Sequence, residues 1–117
     1  MSDEAQVSSL NLIIKRMVVI ADNIRKTDYA DLDDRTATAS KRVIEGVEDA
    51  RLAAAALLLS IKNKDSASMQ QHLYDRMREK MQNAAIALDR TELPESIGNL
   101  ALKTCGEIDD LRYEMAE

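Results

Sequence analysis

The sequence has no phenylalanine and no tryptophan, and its three tyrosines are its only aromatic residues. It has one proline, three glycines, one cysteine and one histidine in 117 residues. So few aromatics and turn formers argue against a sandwich or barrel, which needs strand-favouring side chains and many tight turns. A lone cysteine, Cys105, excludes an intrachain disulfide and fits a reducing compartment. One His and one Cys cannot by themselves supply a common zinc site or the paired Glu-x-x-His motifs of a dinuclear carboxylate centre. Gly46, Gly98 and Gly106 are isolated, so there is no glycine-rich phosphate loop. The longest uncharged apolar run is Leu52 to Ile61, well short of the roughly 20 residues that span a bilayer. Asp3 and Glu4 open the chain and Lys15-Arg16 split the apolar run that follows, unlike a secretory signal. A cytoplasmic location is the expectation.

What is abundant points to helices. The chain has sixteen Ala, thirteen Leu and six Met, with 45% hydrophobic and 32% charged residues. That composition favours α-helix over strand and suits one folded domain, residues 1–117. Val7, Leu10, Ile14, Met17, Ala21 and Ile24 recur at spacings of three and four, which predicts a first helix over about Asp3 to Lys26. Val43, Val47, Ala50, Ala54, Leu57 and Ile61 predict a second, over about Thr38 to Asn63. Thr36 to Ser40 reads T-A-T-A-S, which weakens helix propensity and sets that start. A rival boundary carries the second helix back to Asp28 and makes it longer than its neighbours.

The third helix is expected from Ser66 or Ser68 to Asp89 or Arg90, with Met69, Leu73, Met77, Met81, Ala84 and Leu88 inside. Pro94 suits the first turn of a fourth, whose stripe is Ile97, Ala101, Thr104, Ile108, Leu111 and Met115. Similar lengths and short links give an all-α, antiparallel four-helix bundle.

Chemistry-bearing patterns are sparse. Glu45 and Glu48 share a helix face but read as a solvated acidic edge. A calcium loop begun at Asp34 would end correctly on Glu45, but its third, fifth and sixth positions are Thr36, Thr38 and Ala39, where acids and glycine are needed. Cys105 flanks an apolar stripe and reads as a small buried hydrophobe. The chain is similar to histidine phosphotransfer domains in size and helix count. That family usually follows its histidine with a lysine and a small residue, whereas His72 is followed by Asp75 and Arg76 in that region. The likeness implies a phosphorylatable His72 as the alternative function.

Two features carry more. Leu12 and Val19 on the first helix, and Leu52 and Leu59 on the second, are each seven apart and lie opposite the main stripes. A helix apolar on two sides is buried centrally or binds something. These four residues are the expected self-association surface, most simply of a homodimer formed through helices 1 and 2.

Charge is the second feature. The net charge is −5. Asp28, Asp31, Asp33 and Asp34 surround Tyr29 and Leu32, and Cys105 to Glu117 holds five acids against one Arg. An acidic chain is poorly suited to gripping phosphate backbones, so direct nucleic-acid binding is not expected. Residues Asp28, Tyr29, Asp31, Leu32, Asp33 and Asp34 are instead the expected docking patch for a basic protein, with a nucleic-acid-handling protein as one candidate. The expectation is a non-enzymatic interaction protein (adaptor, chaperone or inhibitor) with no cofactor and no metal.

Overall fold

The computed structural model describes residues 3–27, 34–91 and 93–116, with the side chains of Thr36 and Ala116 outside the description. Among them are four helices: α1 (Asp3–Lys26), α2 (Asp34–Lys62), α3 (Ala67–Leu88) and α4 (Glu95–Ala116). Each packs on two neighbours, in the cyclic order α1, α2, α3, α4 and back to α1. The result is an all-α four-helix bundle measuring 48 × 20 × 18 Å.

Local chemistry sets the ends. Asp3 and Glu4 lie in the first turn of α1 and Arg25 and Lys26 in its last, matching the positive and negative ends of the helix dipole. α2 closes with paired bonds: Lys64 N–H donates to the Ile61 carbonyl at 3.1 Å and Asp65 N–H to the Ser60 carbonyl at 3.0 Å. Lys64 takes the left-handed conformation this closure needs, φ 55°, where glycine is usual. Ser66 then caps α3 by accepting a hydrogen bond from Met69 N–H at 3.2 Å.

The second helix begins four residues earlier than the Thr38 expectation, at Asp34, and with 29 residues it is the longest. The three Thr and Ser of T-A-T-A-S together cost on the order of 1–2 kcal/mol in helix propensity, about what one buried side chain recovers. Ser40 and Val43 are both buried. α4 begins one residue after Pro94, whose carbonyl accepts from Ile97 N–H at 3.0 Å.

The core follows the expected stripes with several departures, among them Leu73 and Met115, which are only half-buried. On α1, Ile13 and Ile20 are fully buried while Val7 and Ile14 are only half-buried. The inward face spans two adjacent ridges because α1 packs on both α2 and α4. On α3, Met69 is exposed in the first turn, whereas Met77 and Met81 fill the core. Tyr74, absent from the expected stripe, is buried to 1% exposure, and its hydroxyl donates to the Ile108 carbonyl at 2.7 Å. That bond satisfies a polar group which would otherwise be costly to bury. Thr104 sits in the stripe of α4 for a related reason: its hydroxyl donates to the Leu100 carbonyl one turn back.

Candidate functional site

The expected surface residues separate into three places. Leu52 and Leu59 stand on the outward side of α2, each 59% exposed, with Ala55 and Ala56 exposed between them. The inward side of the same helix carries Ala50, Ala53, Ala54, Leu57 and Ile61, all buried. α2 is therefore apolar front and back along Leu52 to Ile61, with Arg51 and Lys62 as the first charges at either end.

Leu12 and Val19 are each 45% exposed, on α1. Leu12 lines a shallow groove between α1 and α4 with Ser9, Ile13, Glu107, Asp110 and Glu114. Leu12 therefore stands at the α1–α4 boundary rather than beside Leu52 and Leu59 of α2. The structure brings Leu12 together with the acidic run of α4, a juxtaposition that no local pattern announces. Val18, half exposed beside Val19, was outside the expected set.

Of the expected acidic docking patch, Asp28, Tyr29, Asp31, Leu32 and Asp33 lie outside the described residues. Asp34 opens α2 and is exposed. It lines a groove at the end of the bundle with Arg35, Thr38, Ala39, Arg42, Ala87 and Arg90. The Asp34 to Glu45 stretch tested as a calcium loop is helical throughout. Among the described residues no group of three or more His, Cys, Asp or Glu is placed to hold a metal ion. No helix among them is long and apolar enough to cross a membrane.

Polar ties run along the seams. Arg16 pairs with Glu107 between α1 and α4, and among the described residues neither contacting atom has another hydrogen-bond partner. Beside it, the Ser9 hydroxyl donates to the Glu114 carboxylate at 3.1 Å, and Gln6 Nε2 donates to the Glu114 carbonyl at 3.2 Å. Arg78 meets Asp109 at 2.9 Å between α3 and α4. Glu48 receives Arg51 from its own helix at 2.7 Å and Arg25 from α1 at 3.1 Å. The Arg51 hydrogen bond, helped by Arg25 and opposed by partial burial, holds the Glu48 carboxyl below the usual range.

His72 is exposed on α3 and shares a shallow groove with Asp75, Arg76, Glu79 and Lys80. The two cations there suit a phosphoryl group and the two acids oppose it. Cys105 is half-buried, with its thiol 3.9 Å from the Met81 carbonyl. Burial, reinforced by Asp109, pushes that thiol up and so favours its protonated form.

Comparison of the chain with protein-family models, with curated proteins and with solved structures gives no match.

Proposed function

We propose that this protein is a non-enzymatic interaction module that associates with itself through the outward face of α2 and receives a basic protein partner on its acidic side. One observation carries the reading: Leu52 and Leu59 stay 59% exposed on a helix whose other side already fills the core. Covering a Leu side chain is worth on the order of 1.5–3 kcal/mol, so leaving both wet is unfavourable unless a partner covers them. The bland alternative is that exposed Leu is common on protein surfaces. Their seven-residue spacing on one face, with only small side chains between, supports a seam instead.

The basic partner is supported by the α1–α4 groove, where exposed Leu12 lies beside Asp110, Glu114 and the Arg16-paired Glu107. An apolar contact ringed by like charges suits a complementary basic surface. Asp28, Asp31, Asp33 and Asp34 form a second acidic stretch of the sequence that the same partner would use. The position of Leu12 beside α4 supports a division of roles: Leu52 and Leu59 for the second copy, Leu12 and Val19 for the partner.

Mass by light scattering tests the self-association. The wild-type chain should show a mass above that of one chain at high concentration. The Leu52→Glu/Leu59→Glu variant should fall to one chain while keeping its helical circular dichroism. A folded variant of unchanged mass would remove this reading. Phosphotransfer through His72 is the second reading, supported by its exposure beside Arg76 and Lys80 and opposed by Asp75 and Glu79.

A further inference from the structure

We infer that α2 pairs with α2 of a second copy in antiparallel fashion, about a two-fold axis passing between Ala55 and Ala56. The inference rests on the self-association reading above and adds the seam, the orientation and the register.

The seam is centred by small side chains. Ala55 and Ala56 are exposed at the middle of the outward face, flanked by Leu52 on one side and Leu59 on the other. Two helices meeting at alanine can approach to about 8 Å, the near end of ordinary helix packing. A two-fold axis at that point sets Leu52 of one copy against Leu59 of the other, and the same contact repeats across the axis. That reciprocity is what a closed two-fold interface requires. A single helix face buries less than the roughly 1,200 Å² of a standard interface, so the dimer is concentration-dependent.

Charge selects the orientation. The turn before the stripe carries Glu45, Glu48 and Asp49, and the turn after it carries Lys62 and Lys64. Arg51 offsets one of the three acids and Asp65 one of the two lysines, so the first flank stays negative and the second positive. Parallel pairing would set acids against acids and lysines against lysines. Antiparallel pairing sets the acidic flank of each copy opposite the lysine flank of the other. Glu45, Asp49, Lys62 and Lys64 are all exposed. Like charges brought face to face cost affinity and opposite charges steer and fix register, so the antiparallel arrangement is preferred and salt weakens it.

Disulfide trapping reads the register directly. In a Cys105→Ala background, Leu52→Cys and Leu59→Cys variants are oxidised separately and as an equimolar mixture. In the antiparallel dimer, two copies of the same substituted position lie about 10 Å apart along the axis, which is seven residues at 1.5 Å each. That exceeds the roughly 7 Å Cα separation a disulfide can bridge. The mixture should therefore give a covalent heterodimer on the order of tenfold above either homodimer. Homodimers from each variant alone would overturn the antiparallel orientation while leaving self-association standing. No covalent product from a protein that light scattering shows to be dimeric would overturn α2 as the seam. A wild-type chain that stays single at every concentration would sink both the inference and the reading beneath it. Substitution of exposed leucines leaves the core intact, and circular dichroism confirms that each variant is folded before oxidation.

Discussion

The α2–α3 seam and the α1–α4 seam enclose the same core by opposite means. Between α2 and α3 the contact at Gly46 and Ala84 is made of small side chains. A Cβ placed on Gly46 would lie 3.4 Å from the Ala84 Cβ and 3.8 Å from the Lys80 carbonyl oxygen. A single methyl would fit there in van der Waals contact, and a larger side chain would have to displace α3. Between α1 and α4 the contact is polar along one edge, with Arg16 on Glu107 and with Gln6 and Ser9 on Glu114. Close packing leaves no room for adjustment, because interiors are dense and stiff. A polar edge can exchange one partner for another. The difference places the proposed self-association face on the rigid side of the bundle and the acidic groove on the adjustable side. A seam that must present two leucines in fixed register gains from being mounted on α2.

The largest effect expected from this contrast comes from Gly46. Gly46→Leu should destabilise the fold by about 2–3 kcal/mol, measured by urea unfolding, because added atoms have only the Ala84 side chain and the α3 backbone to meet. Gly106 has nothing within 4 Å of the same construction, so Gly106→Ala should raise stability by up to about 1 kcal/mol through helix propensity alone. Equal outcomes at the two glycines would erase the distinction drawn for the α2–α3 seam.

Glu107→Gln comes next. It leaves Arg16 without its charge partner in a site where the two side chains are 23% and 22% exposed. Partial access to water limits the loss to about 1–2 kcal/mol, below the penalty for a fully buried pair. The loss should shrink as salt is raised. A change above 3 kcal/mol would show the α1–α4 edge to be as unforgiving as its counterpart.

The smallest effect belongs to Glu48, which joins α1 and α2 beside the proposed seam. Its folded carboxyl lies below the ordinary value of 4.5, chiefly because of Arg51. A depressed pKa contributes stability that is complete above the unfolded value and fades as pH falls through the folded one. Glu48→Gln should therefore lower stability slightly at neutral pH and converge with wild type in acid, as followed by thermal unfolding from pH 7 downward. A difference that persists unchanged to pH 2 would remove the charge pairing as its cause.

Much of this was legible in the residues. The three-and-four spacing gave the α2 stripe from Val43 to Ile61 without error, and all six of those positions are buried. Leu52 and Leu59 were identifiable as a second face by the same arithmetic, since positions seven apart return to one side of a helix. Tyr74 was not legible: an aromatic one step off the stripe is buried here because α4 supplies the Ile108 carbonyl as its acceptor. The misplaced start of α2 had a similar cause, because local propensity is weaker than tertiary burial.

The sequence by itself determined four helices, the inward stripe of α2 and the apolar outer face of the same helix, because those follow from periodicity within one stretch of chain. Only the tertiary structure decided which helices are neighbours. Neighbourhood put Leu12 among Glu107, Asp110 and Glu114, about a hundred positions away along the chain, at the boundary with α4. Spacing fixes where a side chain points on its own helix; what it meets there depends on how the helices close around a shared core, and no local pattern encodes that closure.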